Sequence, residues 1–206
     1  MRTKHIVIIL ILLNVIFVFL VYNSIDSEVE FQKNAKVRIA ENVQKLKDIR
    51  AVQIAYKSKY QAFASDFNSL MEFLNNDSIA VIRSEGEVPD SLTELQALQA
   101  KLISRDTIYI DSKTHIFNED YLSIRDQSTE LYIDGLQYIP HTKNKKYSID
   151  ASNIEKGKVI VQVFEVSAKY GDVLIGLDAK NKKYNLYDLL KVGSMSEASL
   201  NGNWGE

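Results

Sequence analysis

The residues that could do acid–base chemistry or bind a metal are few in this chain. Its 206 residues include three histidines and no cysteine, so thiol catalysis and thiolate metal sites are excluded. The histidines at positions 5, 115 and 141 are too far apart in sequence to indicate a metal site. Four carboxylates flank predicted strands near His115 and could approach it, namely Asp106, Asp111, Glu119 and Asp120. Because acidic residues at strand ends usually belong to turns and solvated loops, we expect neither a metal site nor an acid–base site there.

Known catalytic motifs are missing from the sequence as well. It contains no H-E-x-x-H, no G-x-S-x-G and no phosphate-binding glycine loop. A serine nucleophile stays open as an alternative, since catalytic triads are assembled in space and not in sequence. With only eight glycines, however, the chain has few of the tight turns that active-site loops commonly use. We therefore predict a protein that is not an enzyme and that has no catalytic residues, cofactor or metal.

A basic pentapeptide, Lys-Asn-Lys-Lys-Tyr, occurs twice, at residues 143–147 and 180–184. Two such loops could bind an anionic glycan, lipopolysaccharide or a phospholipid headgroup through their lysines. The candidate contacts are Lys143, Lys145, Lys182 and Lys183. We favour a structural interpretation, because Lys and Asn before a strand are ordinary turn residues and Lys on a sheet edge discourages aggregation. The formal net charge of −2 gives no reason to expect a nucleic-acid partner.

The N-terminus predicts a membrane anchor. Arg2 and Lys4 precede an apolar run over residues 6–22 that only Asn14 interrupts. With residues 23–25 added, a helix of this length approaches the roughly 30 Å hydrocarbon core of a bilayer. The run does not end in small residues of the A-x-A kind, which favours an uncleaved anchor over a removed signal peptide. A lipoprotein is excluded because the chain has no cysteine to carry the lipid.

Charges on the two sides of this segment predict its orientation. Basic residues precede it and three acidic residues follow it, Asp26, Glu28 and Glu30. This pattern favours a cytoplasmic N-terminus and a periplasmic head in the bacterial inner membrane, although Lys33, Lys36 and Arg38 weaken the contrast. Membrane lipid is then one partner of the protein.

Beyond the anchor the sequence predicts one long amphipathic helix. Apolar residues recur at spacings of three and four, at Ile39, Val43, Leu46, Ile49, Val52, Tyr56 and Tyr60. No Gly or Pro occurs before Asn76, so nothing forces a break between the anchor and this stripe. A strict heptad would place Arg50, Gln53 and Lys57 on the seam, which a self-sufficient coiled coil would not do. We therefore expect the stripe to pack on the protein's own head.

Helix-mediated oligomerisation is the alternative use of the same helix. A polar residue in the span can hydrogen-bond a second helix, and the apolar stripe can pair with its copy. The candidate contacts with a partner helix are Asn14, Ile39, Val43 and Leu46.

The helices predicted for the rest of the chain are short. A bend over residues 61–64 separates the long helix from a second one, which Ser65 or Asp66 caps and which runs to about Asn75. Its Tyr and Phe residues are predicted to lie in the core. A capping box of Ser91 and Glu94 predicts a further helix ending near Ile103. Two more short helices are predicted over residues 170–177 and 187–190.

The strands are predicted from alternation and turn residues. Residues 106–111 form one strand, with residues 114–117 returning beside it, and residues 131–139 form another. The clearest signal is a hairpin of residues 146–151 and 158–168 joined by a loop over residues 153–157. The second strand of this hairpin is apolar on both faces, so we expect it to be central in its sheet. Residues 193–206 are predicted to be a mobile tail.

These elements give an α+β fold class. A transmembrane helix continues into a long amphipathic helix that packs on, or leads to, a small head of helices and antiparallel sheet. The predicted domains are a cytoplasmic N-terminus (1–5), a transmembrane anchor (6–25), a helical stalk (26–62), an extracytoplasmic α+β head (63–192) and a flexible tail (193–206).

The N-terminal organisation resembles that of type IV pilins and type II secretion pseudopilins. The resemblance is carried by the charged N-terminus, the apolar helix continuing into an amphipathic one, and a Tyr-x-x-x-Tyr-x-x-Phe stretch leading to a second helix, within residues 52–74. Those families have a Gly-Phe processing site before the apolar run and a glutamate five residues into it. Here residues 4–8 read Lys-His-Ile-Val-Ile, so the prepilin peptidase motif is lacking. The resemblance therefore implies a permanently anchored accessory protein and not a pilin proper.

The whole chain is also similar to uncharacterised single-span envelope proteins of Bacteroidota. Its most distinctive phrases are V-P-D-S-L-T-E-L-Q-A-L (88–98) and V-I-V-Q-V-F-E-V (159–166). We expect a non-enzymatic scaffold or assembly subunit of a secretion, pilus-like or motility complex, with other envelope proteins or further copies of itself as partners. The alternative is a membrane-tethered ligand-sensing or substrate-binding module. A membrane-tethered hydrolase would need a buried carboxylate or a Ser-His pair in a cleft.

Overall fold

The computed structural model of the chain describes residues 2–179 and 183–205. Its first element is a single helix, α1 (Arg2–Tyr60), of 59 residues and about 88 Å. It ends at Gln61, whose φ of +56° lies in the left-handed region and whose N–H donates to the Lys57 carbonyl at 2.8 Å. The predicted bend after residue 60 is confirmed.

The first part of α1 is apolar and open on all sides. The large apolar side chains from Ile6 to Ile25 are between 48% (Leu13) and 69% (Val18) exposed. Within the described residues, one helix is long and apolar enough to cross a membrane, and it is α1, near the N-terminus. The chain is therefore compatible with single-pass anchoring.

The second part of α1 is the central element of the head. Leu46, Ile49 and Val52 are completely buried, so the predicted packing of the stripe on the protein's own head is confirmed. Burial starts at Phe31 and Ala35, so most of the predicted stalk (26–62) is not free-standing but part of the head. Among the predicted helix-partner contacts, Leu46 is covered by the head, so its contact with a partner helix stays a prediction. Ile39 and Val43 are partly buried against the same core.

Helix α2 (Phe67–Asn76) follows the bend, as predicted, and packs on α1. Asp66 is its N-cap, and its carboxylate accepts from the Ser69 N–H at 2.9 Å. The helix buries Phe67, Leu70, Phe73 and Leu74, and the Phe73 ring meets Tyr56 edge-on with 5.3 Å between centroids. The predicted core position of the aromatic residues is thus confirmed for this helix.

A two-stranded arm follows. Strand β1 (Ser78–Gly86) pairs antiparallel with β2 (Ile103–Asp111), and α3 (Glu94–Gln99) connects them. The capping box of α3 consists of Thr93 and Gln96, not of Ser91 and Glu94 as predicted. The prediction that residues 114–117 pair with β2 was wrong, because Asp111 ends the strand by capping α4 (Ser112–Ile116). Helix α5 (Glu119–Ile124) comes next.

The larger sheet has the order β3-β4-β5 and is antiparallel, with β3 (Ser148–Lys156), β4 (Val159–Lys169) and β5 (Leu189–Gly193). The predicted hairpin and the central position of β4 are confirmed. Its turn is tighter than predicted, since residues 153–156 pair with β4 and only Gly157 and Lys158 connect the strands. Both have positive φ, +59° and +67°, as a two-residue type I′ turn requires.

Four further predictions differ from the structure. Residues 131–139 form turns with a single bridge from Tyr138 to Lys146, so no strand forms there. Helix α6 (Tyr170–Val173) is shorter than predicted, and the predicted helix at 187–190 belongs instead to strand β5, since Leu189 and Leu190 pair with β4. The expected mobile tail folds back on β5 as far as residue 205 is described: Gly193 N–H donates to the Asn201 carbonyl at 3.0 Å and Asn203 N–H to the Lys191 carbonyl at 3.1 Å.

Gly193, at the end of β5, tests how closely the backbones of β5 and β4 approach each other. Its φ is +78°, and a Cβ there would lie 2.2 Å from the Phe164 carbonyl oxygen. Gly157 is the matched control, because its φ is +59° but a Cβ would contact nothing within 4 Å. We expect Gly157→Ala to lower the free energy of unfolding by about 1 kcal/mol and Gly193→Ala to lower it clearly more. Denaturant unfolding in detergent measures both, and equal losses would contradict the close approach of the two backbones.

Candidate functional site

The most elaborate polar cluster lies where α1 meets the segment after α5. Asp48 of α1 and Arg125 form a buried ion pair, with side chains 2% and 5% exposed. The guanidinium binds the carboxylate as a fork, with Nε 3.1 Å from Oδ1 and Nη2 3.0 Å from Oδ2. Bidentate geometry is the arrangement in which a buried Arg–carboxylate pair best compensates its loss of hydration.

Two further side chains complete the hydrogen bonding of the Asp48 carboxylate. The Tyr121 hydroxyl donates to Oδ1 at 2.8 Å, and the Gln44 amide donates to it at 2.9 Å. Burial, together with the negative charge of Asp48, raises the pKa of Tyr121. The carboxylate is therefore bound by three donor side chains, those of Arg125, Tyr121 and Gln44. Its chemistry here is to hold α5 and the following segment on α1.

Arg125 also organises the chain that follows it. Its remaining N–H groups donate to the carbonyl oxygens of Asp126, Thr129 and Glu130, the first and third at 3.3 Å. In addition, the Asp126 N–H donates to the Gln44 side-chain oxygen at 3.1 Å. The turn at residues 126–130 is thus fixed by buried side chains and not by regular secondary structure.

Sequence reasoning missed this cluster. Asp48 and Arg125 are 77 residues apart, and no spacing rule connects them. The available signal was that Gln44 and Asp48 lie one helical turn apart beside the apolar stripe, where a buried carboxylate requires partners. That signal predicts a partner but not its position in the chain.

Two clefts border the ion pair, one on each side. The larger, about 610 Å³, lies between α1 and the α4–α5 region; residues of both regions line it, including Lys47, Ile54, His115, Tyr121 and Ile124. The smaller, about 450 Å³, lies between α1 and residues 128–141. Arg125 lines both clefts, so the buried pair forms the wall between them.

The carboxylates considered near His115 lie at a helix cap, in a helix first turn and in a strand. Asp111 caps α4, while Glu119 and Asp120 occupy the first turn of α5, where a carboxylate interacts favourably with the helix dipole. Asp106 lies opposite Arg83 in the β1–β2 pair. Within the described parts of the chain, no three His, Asp or Glu side chains are grouped so as to hold a metal ion.

The two basic pentapeptides both end in a tyrosine that packs on α1. Tyr147 is buried and its hydroxyl donates to the Asn42 side chain at 2.7 Å, while the Tyr184 ring lies 6.4 Å from that of Phe31. Lys143 and Lys183 are exposed, and Lys145 pairs with Asp172 at 2.7 Å. Lys182 lies outside the described residues. Anion binding by these lysines stays a prediction. The tyrosines give the two pentapeptides a structural role, because they pack on α1.

Asn14, the polar residue of the apolar segment, turns its amide back on its own helix. Its Nδ2 donates to the Leu10 carbonyl at 2.8 Å, one turn earlier. This bond satisfies the amide N–H in an apolar environment without a second helix. Contact of Asn14 with a partner helix therefore stays a prediction.

The end of α1 carries a second ionic cluster. Asp77, after α2, receives a hydrogen bond from the Tyr60 hydroxyl and lies 2.9 Å from Lys59 Nζ. These contacts, with the Tyr60 bond first, hold the pKa of Asp77 below its ordinary value, and the same bond raises the pKa of Tyr60 to about 12.

The lowered pKa of Asp77 predicts a pH-dependent contribution to stability. Because its pKa is lower in the folded than in the unfolded chain, the contribution is present above the unfolded value of about 4 and is lost as the pH falls through the folded value. We expect Asp77→Asn to be less stable than the parent chain at pH 7, with the difference shrinking towards pH 2. Urea unfolding at both pH values measures it, and a difference that does not change with pH would exclude this linkage.

Comparisons with protein-family models, with curated proteins and with solved structures find no match to this chain. Function must therefore be inferred from the residues and their geometry.

Proposed function

We propose that the chain is a single-pass, membrane-anchored envelope protein without enzymatic activity. It acts as a scaffold or assembly subunit of a secretion, pilus-like or motility complex. The observation that carries this proposal is the continuity of α1, which is one helix from the exposed apolar segment to the centre of the head core. Such an element ties the position of the head to that of the membrane.

Lipid is the environment that the first part of α1 fits. An isolated helix that is apolar on every face cannot remain exposed to water without associating, because burial of apolar surface is the dominant driving force for association. Among the residues that the structure describes, no part of the head covers the large apolar side chains between Ile6 and Ile25. The charge pattern around the segment supports a cytoplasmic N-terminus and a periplasmic head.

The helix also sets the distance between the core of the head and the membrane. From Ile25 to Phe31, the first buried apolar residue, six residues of helix rise about 9 Å. The core of the head would therefore start near the lipid headgroups and extend outwards along α1. A head held this close to the bilayer suits contacts with other membrane proteins better than a long free stalk would.

Affinity purification after cross-linking in native membranes tests the scaffold proposal. We expect the full-length chain to bring down the same envelope proteins, or further copies of itself, in repeated experiments. A matched chain without residues 2–25 should lose these partners together with the membrane. Recovery of the full-length chain only as a partnerless monomer would contradict the scaffold role while leaving the anchor untouched.

A second candidate function, a ligand-sensing or substrate-binding head, is favoured by the 450 Å³ cleft beside the ion pair. Clefts of this size with a few convergent polar groups are typical of small-molecule sites.

A further inference from the structure

We propose that the 450 Å³ cleft between α1 and residues 128–141 binds a small monocarboxylate with an apolar body, whose carboxylate pairs with the Lys45 ammonium. This site goes beyond the scaffold role, and neither depends on the other. One face of α1 builds one side of the cleft, and the irregular segment 128–141 builds the other.

The walls of the cleft are preformed. Glu41, Lys45 and Asp48 are spaced by four and three residues, so they share one face of α1 and all line the cleft. On the opposite side the Arg125 guanidinium holds the carbonyl oxygens of Thr129 and Glu130. Because the buried Asp48–Arg125 pair fixes both sides, a ligand would enter without paying to order the loop.

Lys45 is the group left to recognise a ligand. Its ammonium has three N–H donors, and one of them goes to the Tyr138 carbonyl at 2.6 Å. Among the residues that the structure describes, no carboxylate lies within ion-pair distance of the Lys45 Nζ. The nearby Asp48 carboxylate is bound instead by Arg125, Tyr121 and Gln44. Burial lowers the pKa of Lys45 to about 8, only partly offset by the charge of Asp48. A bound anion would supply the charge partner that the ammonium lacks.

The other charged groups of the cleft limit the charge of the ligand. Asp48 and Arg125 neutralise each other, and Glu41 is paired with His141 at 2.7 Å. Glu130 adds a further carboxylate to the lining. With two carboxylates besides that of Asp48 near a single unpaired ammonium, a monoanion is favoured over a dianion such as phosphate at neutral pH.

The remaining lining residues accept an apolar body. Leu136, Pro140 and the Tyr132 ring line the cleft together with the polar groups. A flat apolar group that carries one carboxylate matches both halves of this lining. Its carboxylate would replace the lost hydration of Lys45, and its ring would cover the exposed Tyr132 ring and Pro140.

Benzoate and benzamide, which differ essentially in charge, are the probes. Saturation-transfer NMR on the full-length chain in detergent is expected to show benzoate binding in the millimolar range or tighter, and benzamide at least tenfold weaker. Inorganic phosphate should not displace benzoate at equal concentration. As the pH rises from 7 to 9 through the pKa of Lys45, benzoate affinity should fall by about tenfold.

Variants of Lys45 test whether its charge is what binds benzoate. Lys45→Met keeps the aliphatic chain but removes the charge, so it should weaken benzoate binding about tenfold or more and leave benzamide unchanged, whereas Lys45→Arg should retain binding. Lys156→Met, at an exposed position of β3, is the matched control and should bind like the parent chain. The comparison of benzoate with benzamide and the pH dependence of benzoate binding need no variant. They therefore test the proposal even if Lys45→Met does not fold. Equal binding of benzoate and benzamide, displacement by phosphate, or no benzoate binding would overturn the proposal.

Discussion

Replacing Asp48 with alanine is expected to lower the free energy of unfolding of the head by about 3–5 kcal/mol. The change leaves the Arg125 guanidinium buried without its carboxylate, and an unpaired buried charge is among the costliest defects a fold can have. It also removes the acceptor of the Tyr121 hydroxyl and the Gln44 amide. Urea unfolding in detergent, followed by circular dichroism, measures the loss.

Two variants separate the ion pair from a general effect of losing a carboxylate. Asp172→Ala removes the partner of Lys145, whose side chain is 56% exposed, and should cost little because water replaces the partner. Replacing both Asp48 with Leu and Arg125 with Met should recover a large part of the stability, since two apolar residues leave no unpaired charge. A loss below about 1 kcal/mol for Asp48→Ala would contradict the burial of the pair.

Replacing Val15 and Val18 with arginine is expected to release the protein from the membrane. Each arginine near the centre of a spanning helix costs about 2.5–3.5 kcal/mol on insertion scales, so two together offset much of the free energy of insertion. Both positions lie in the exposed apolar part of α1, well before the first buried residue of the core at Phe31. We therefore expect the head to keep its circular dichroism spectrum while the chain moves from the membrane pellet to the supernatant at high pH.

The control is Val15→Leu with Val18→Leu, which changes the same positions without adding charge. This variant should stay in the pellet like the parent chain. If the arginine variant also stayed in the pellet, the segment would not be the membrane anchor.

Elements set by neighbouring residues could be predicted from the sequence. The N-cap of α2 at Asp66, the end of α1 and the β3–β4 hairpin depend on local turn and capping chemistry, and all three were found. The apolar spacing of α1 likewise predicted a buried face, because a helix presents every third or fourth residue to the same side.

Features set by distant residues could not be predicted. The pairing of β1 with β2 and of β5 with β4 was missed, because a strand's partner is chosen by packing and not by its own sequence. Residues 193–206 were predicted to be a mobile tail from their composition, yet Asn201 and Asn203 hydrogen-bond to β5. The candidate site depends on Asp48 and Arg125, whose contact exists only once α5 has packed on α1.

The stalk shows what helix periodicity can predict. The helix over residues 26–62 was predicted almost to its last residue, with an apolar stripe from Ile39 onwards that packs on the head. Phe31 and Ala35 are already buried, because loops that come much later in the chain return to α1, as the contact of Tyr184 with Phe31 illustrates. Helix periodicity describes which face is covered and not which segment covers it.

The rigid connection between bilayer and head is tested most directly by one distance in lipid nanodiscs. The chain has no native cysteine, so Val18→Cys in the apolar segment and Ser58→Cys near the end of α1, both at exposed positions, can carry spin labels without competing sites. In a continuous helix the 40 steps between them span about 60 Å. Double electron–electron resonance should give a narrow distance distribution centred near that value. A broad distribution, or a centre well below it, would show that the helix breaks between membrane and head and would contradict the account.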